Sequence, residues 1–262
     1  MADYAFGDST IAAARLALLA RTYADSSEAF LRDSVDFRPR LAADLGCGPG
    51  YSTHLLASVL GPIRTIGLDN SENFLAEARA TATESVSFEH CDIAAGPFPH
   101  SPFDLMYCRF LLTHLRDPGS MIEFWIKQLR PLGALLMEEV ESIESPIPEL
   151  NAYLDLQQSV LSEQGNALYV GPQLGAMTSF NGVRQQANKV AFLNVPTARA
   201  ARMFHMNLAT IREREFVRDN YDASRIDELY RGLLAIADCE SQGYAYPAVR
   251  WGLRQISLER SP

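Results

Sequence analysis

Three glycines at alternate positions stand in the run Asp44-Leu45-Gly46-Cys47-Gly48-Pro49-Gly50. Glycine has no Cβ, so backbone at such places can pass close against a ligand. If a helix starts at Tyr51, its free N–H groups face that ligand and favour a carboxylate or phosphate. A dinucleotide fingerprint would need glycine at the sixth place, which Tyr51 occupies, so a pyrophosphate is the less favoured guest. Asp69, followed by Asn70, comes nineteen residues after Gly50. A carboxylate there can accept two neighbouring sugar hydroxyls at once. The plainer role, capping the next helix, can be filled by Ser71 alone.

Other side chains suit an acceptor or a proton. His114, in Leu111-Leu112-Thr113-His114-Leu115, follows an apolar run and can take a proton or pack on a short helix. Glu138, Glu139 and Glu141 follow another apolar run, and strand alternation puts Glu139 and Glu141 on one face. Either could hold a cation or act as a base; a solvated edge is the plain alternative. Tyr169 and the stripe Met203, Phe204, His205, Met206, Asn207, Leu208 could line an apolar chamber or simply fill core. Arg21 or Tyr23 could reach an anionic ligand if the first helix folds over the site.

Alternating strands and helices must position these groups. Short apolar runs predict strands at 41–45, 63–68, 86–90, 103–108 and 134–139. Helices are expected at 12–30, 51–60, 72–80 and 118–130, with Gly61-Pro62 and Pro118 as stop and start signals. Pro131-Leu132-Gly133 is expected to turn the chain into the fifth strand. This rhythm means a mostly parallel sheet covered on both faces, an α/β fold. It changes after Ser145, where helices at 149–164 and 171–180 precede a strand at 185–195. Helices at 197–220 and at 224–240 lead to a last strand at 251–259. The expected organisation is an N-terminal helical segment, 1–40, and a domain over 41–262 that carries a helical lid at about 145–182.

The acidic residue followed by Gly-x-Gly-x-Gly resembles motif I of the class I S-adenosylmethionine-dependent methyltransferases, and later motifs fall in register with it. Phe103-Asp104-Leu105-Met106-Tyr107-Cys108 is similar to motif IV, and Arg130-Pro131-Leu132-Gly133 to the turn before the fifth strand, where Pro-Gly-Gly is commoner. The resemblance is strong over about 40–140 and architectural over 180–260. It implies a seven-stranded, doubly wound sheet with its last strand antiparallel. It also implies S-adenosylmethionine as cofactor and S-adenosylhomocysteine as product. The cofactor set it implies is Asp44, Gly46, Cys47, Gly48, Gly50, Asp69, Asn70, Asp92, Ile93, Cys108 and Arg109. Asp92 would accept from the adenine amino group, Ile93 would pack on the ring, and Cys108-Arg109 would lie by the methionine moiety. His114 and Glu139 are the catalytic candidates; Glu141, Tyr169, Met203 and Asn207 are the acceptor-binding ones. The helical insertion is similar to the cap of small-molecule methyltransferases, so the acceptor is expected to be aromatic, quinone-like or a natural-product intermediate.

Composition narrows the classes. A hydrophobic fraction of 47% in 262 residues allows a sizeable core. Net charge is −9 without a basic cluster, which disfavours a nucleic-acid partner. Cys47, Cys91, Cys108 and Cys239 lack metal-ligand or disulfide-framework spacing. No metal is expected, and a reducing, cytoplasmic setting is. The start MADYAFGDST has no signal-peptide pattern, and no run is apolar enough for a membrane span. A homodimer is compatible with all of this. Three rivals remain: a nicotinamide oxidoreductase, a cofactor-binding protein without turnover, and a methyltransferase acting on protein or nucleic acid.

Overall fold

The computed structural model describes residues 10–177, 179–239 and 245–262. The first nine residues of the expected 1–40 segment lie outside that range, as does Glu240, the expected end of a helix. In chain order come α1 (Thr10–Ser34), β1 (Leu41–Leu45), α2 (Tyr51–Leu60), β2 (Arg64–Asp69), α3 (Glu72–Arg79), β3 (Val86–His90) and β4 (Phe103–Arg109). A 3-10 turn (Leu112–His114), α4 (Pro118–Ile126), β5 (Leu129–Glu144), α5 (Pro148–Glu163), α6 (Gly171–Ala176) and β6 (Val183–Val195) follow. The chain closes with α7 (Thr197–Ile211), α8 (Glu215–Asn220), α9 (Ala223–Ala237) and β7 (Val249–Arg260).

The strands form one seven-stranded sheet in the order β3-β2-β1-β4-β5-β7-β6. β1 to β5 pair in parallel, and β7 runs antiparallel between β5 and β6. The expected α/β architecture with an antiparallel last strand is therefore the one observed. The order reverses at β1, whose neighbours are β2 and β4, so the ends of these three strands open a crevice there.

Local chemistry explains the boundaries. β1 is buried on both faces, as its apolar residues Leu41, Ala42, Ala43 and Leu45 require. Gly61, with φ 57°, closes α2 by donating its N–H to Ala57. Ser71 Oγ accepts from Phe74 N to start α3, and Asp117 accepts from Ser120 N to start α4. Trp125 of α4 is fully buried and donates Nε1–H to Ile93 O at 2.8 Å.

Three expectations are corrected. α4 ends at Ile126 rather than Arg130, and β5 begins at Leu129. Pro131-Leu132-Gly133 is an irregularity inside β5: Phe103 pairs with Leu129, but Leu105 pairs with Ala134. Leu132 takes φ 63° to absorb the extra residues. The helical stretch 197–220 is broken between Ile211 and Glu215.

α1 packs on α2 and α7 and buries Tyr23, Phe30 and Leu31. Tyr23 lies edge-on to Phe110 at 5.1 Å and Trp251 at 5.3 Å, which ties the first helix to the ends of β4 and β7. Among the described residues no helix is long and apolar enough to cross a membrane.

Candidate functional site

At the carboxyl end of β1 the backbone turns sharply. Gly46 N and Cys47 N both donate to Leu68 O, at 2.8 and 3.1 Å, and Gly50 N donates to Cys47 O at 3.0 Å. Gly48 has φ 52°, and a Cβ there would meet only Leu16, at 3.6 Å, so the space beside this peptide is open. Gly50 has φ 90°, and a Cβ would strike Phe88 at 2.7 Å, so glycine is required to start α2 here.

Asp69, at the end of β2, fixes this loop. Its Oδ2 accepts from Gly48 N and its Oδ1 from Ser71 N, each at 2.8 Å. Burial pushes this carboxyl above the usual range, while the N–H groups of Ser71, Gly48 and Asn70 pull it down. Those three donors use most of the roughly four acceptor sites of the carboxylate and leave capacity for one further donor.

The loop and Asp69 form one end of a cavity of about 710 Å³. That is in the upper part of the range of about 300–1,000 Å³ usual for small-molecule sites. The first end adds Asn70, Ile93, Ala94 and Arg109. The other end is walled by Gln157 and Leu161 of α5, Leu168, Met203, Phe204 and Asn207 of α7, and Trp251 of β7. Arg15 of α1 and His114 also line the space. Among the described lining residues Asp69 is the acidic one; Arg15, Arg109 and Arg214 are the cations.

Of the residues expected from sequence, Gly46, Cys47, Gly48, Asp69, Asn70, Ile93, Arg109, His114, Met203 and Asn207 come together around this cavity. Asp44, Gly50, Asp92, Cys108, Glu139, Glu141 and Tyr169 do not line it. Each has another occupation. Asp44 accepts from the hydroxyls of Ser52 and Thr53, both at 2.7 Å, tying α2 to β1. Burial raises its carboxyl to about 6 against those two bonds. Asp92 accepts from Ala94 N at 2.9 Å, shaping the turn that presents Ile93. Cys108 is core. Glu141 is held by Arg254 in a two-pronged ion pair, at 2.5 and 2.8 Å. Tyr169 is half-buried against the cluster beneath α5 and α7.

Glu138 and Glu139 are both fully buried, and alternation sends them to opposite faces of β5. Glu138 accepts from Tyr107 Oη at 2.5 Å and Gln255 Nε2 at 2.8 Å. Glu139 Oε1 accepts from Leu111 N at 2.7 Å and Leu112 N at 2.6 Å, and so fixes the turn that carries His114. Burial raises the Glu139 carboxyl to about 8, opposed by those backbone donors. Burial, then the nearby Arg15 charge, lowers His114 to about 3, so its imidazole is neutral in neutral solution.

Arg21 is exposed and Tyr23 is core; α1 instead presents Arg15 to the cavity. Arg15, Gln157, Arg214 and Trp251 went unrecognised in the sequence. Helical periodicity from Ala12 offered a signal for Arg15, while the other three depend on how distant elements pack.

Residues 42–133 match the family model described as a methyltransferase domain. Trans-aconitate 2-methyltransferase of Methylobacterium nodulans is 36% identical over 108 residues, 41% of each chain. The Variovorax paradoxus protein of the same name is 35% identical over 125 residues, 47% of this chain and 48% of that one. The chain thus matches less than half the length of these relatives. Among solved structures, a putative methyltransferase from Bacillus halodurans superposes with a TM-score of 0.61 at 14% identity, over 90% of this chain and all of that one. A putative Haloferax volcanii methyltransferase, in complex with the Trm112 activator, gives 0.60 at 18% identity over 97% of each chain. These two likenesses concern the fold.

Proposed function

We propose that this chain, whose residues 42–133 are a methyltransferase domain on the class I fold, moves a methyl group from S-adenosylmethionine to a small organic acceptor. The observation that carries this is the continuity of one cavity from the Gly46–Gly48 loop and Asp69 to an apolar chamber under α5 and α7. The cofactor fits what is there. Open space beside Gly48 admits its nucleoside, Asp69 keeps acceptor capacity for a ribose hydroxyl, and Ile93 offers an apolar surface to the base. Arg15 and Arg109 supply the charge its carboxylate needs.

When bound, the sulfonium supplies an already activated methyl group. The chain's residues then have to align the acceptor and exclude water; alignment of this kind accounts for roughly 7–11 kcal/mol in well-oriented systems. α5 acts as the lid, through Gln157 and Leu161. His114, neutral and in the wall, orients the acceptor by a hydrogen bond and takes its proton only once methylation has made that proton strongly acidic. Glu139 acts through the turn it holds, and Met203 and Asn207 contact the acceptor. Asp44, Gly50, Asp92 and Cys108 shape the cofactor end from behind.

The aromatic wall of Phe110, Phe204 and Trp251 supports an aromatic, quinone-like or natural-product acceptor. An organic acid is the second reading, favoured by the cationic lining and by the names of the partial relatives. Four free, buried cysteines support a reducing cytoplasmic setting. The test is incubation of the purified chain with methyl-labelled cofactor and candidate acceptors. Label in an acceptor, with stoichiometric S-adenosylhomocysteine, is expected; cofactor binding without release under any acceptor would leave a sensor rather than an enzyme.

A further inference from the structure

The wall made by α7 changes character along its length. Met203, Asn207 and Thr210 recur at helical spacing on the cavity face, and Arg214 continues the line just past the helix end. The face thus passes from a thioether, through an amide and a hydroxyl, to a guanidinium. Phe204 and Trp251, 6.1 Å apart, extend the apolar end. Asn207 donates Nδ2–H to Tyr153 Oη at 2.8 Å, and its Oδ1 has no partner among the described residues. Arg214 also lines a groove of about 460 Å³ with Glu163, Glu215 and Asp219, which places it between the chamber and the surface. The other two cations belong to the opposite end. Leu45 pairs with Cys108, so Arg109 follows level with the glycine loop, and Arg15 adjoins Leu16, the neighbour of Gly48.

We infer that the acceptor is an amphipathic monocarboxylate that lies along α7, with its apolar body on Met203 and Phe204 and its carboxylate on Arg214. The inference rests on the methyl-transfer reading for which end faces the methyl group. A tricarboxylate such as trans-aconitate fits poorly. Its second and third charges would be buried along Met203, Phe204 and Asn207, a stretch that carries no cation. The segment matching the family model ends at residue 133, before α5, α7 and β7, so that match leaves this wall unspecified.

The test titrates 2-naphthoate, octanoate, 2-naphthamide and trans-aconitate into the full chain by calorimetry, with and without saturating S-adenosylhomocysteine. 2-Naphthoate should bind about tenfold or more tightly than 2-naphthamide, the worth of one charge-assisted contact. Arg214→Gln should erase that gap, Arg214→Lys should keep part of it, and affinity for S-adenosylhomocysteine should stay unchanged in both variants. Equal binding of the amide, tightest binding of trans-aconitate, a gap that survives Arg214→Gln, or no binding of either monocarboxylate would overturn the inference. Failure of S-adenosylhomocysteine itself to bind would strike the methyl-transfer reading instead; the titrations without it still decide the charge preference.

Discussion

Replacing Glu139 with Gln, and separately His114 with Gln, should tilt the pH dependence of stability in opposite directions. The folded Glu139 carboxyl sits at about 8 against an ordinary 4.5. Between those values the folded state holds a proton that the unfolded chain has lost, so stability falls as pH rises. From about pH 5 to about pH 7 that loss is about 2.5 kcal/mol. The folded His114 sits at about 3 against an ordinary 6.5. There the unfolded chain holds the extra proton below 6.5, so stability rises with pH, by about 2 kcal/mol over the same interval. The two slopes nearly cancel in the native protein. In Glu139→Gln, which keeps an oxygen to accept from Leu111 N and Leu112 N, the difference in stability between about pH 7 and about pH 5 should rise by about 2.5 kcal/mol relative to the native chain. In His114→Gln it should drop by about 2 kcal/mol. Urea unfolding at the two pH values measures both. Variants that shift in the same direction, or leave the native slope untouched, would refute the claim that these groups are held neutral by burial.

Three further outcomes follow from named contacts. Gly48→Ala places a methyl group beside the open loop and should weaken S-adenosylhomocysteine binding in calorimetry, while its φ of 52° costs about 1–2 kcal/mol of stability in urea titrations. Tyr107→Phe removes a donor from buried Glu138 and should lower stability by about 1–3 kcal/mol by the same measurement. Arg254→Met leaves Glu141 without its two-pronged partner in a half-dry setting; a loss of about 1–3 kcal/mol is expected, with cofactor affinity preserved.

The first half of the chain was legible because its signals are local. Glycines after a buried strand, a capping serine and a proline at a helix start each determine structure within a few residues. β1, α2 and β3 therefore stand where the pattern put them. The long β5 was not legible: Pro131 and Gly133 read as a turn, yet pairing with β4 and β7 carries the strand through them as a bulge. Glu141 illustrates the harder problem. Its partner Arg254 lies 113 residues away, and no local pattern shows that β7 will bring it there. Arg214 and Trp251 enter the cavity for the same reason, through the packing of α7, α8 and β7. Helical spacing does show that Met203, Asn207 and Thr210 share a face; which cavity that face adjoins is a property of the assembled fold.

Calorimetric titration of S-adenosylhomocysteine into the native chain and into Asp69→Ala bears most directly on the cofactor end. One site per chain is expected, weakened about tenfold or more when the carboxylate at the end of β2 is removed. Absence of heat in the native chain, or equal affinity in the variant, would contradict it.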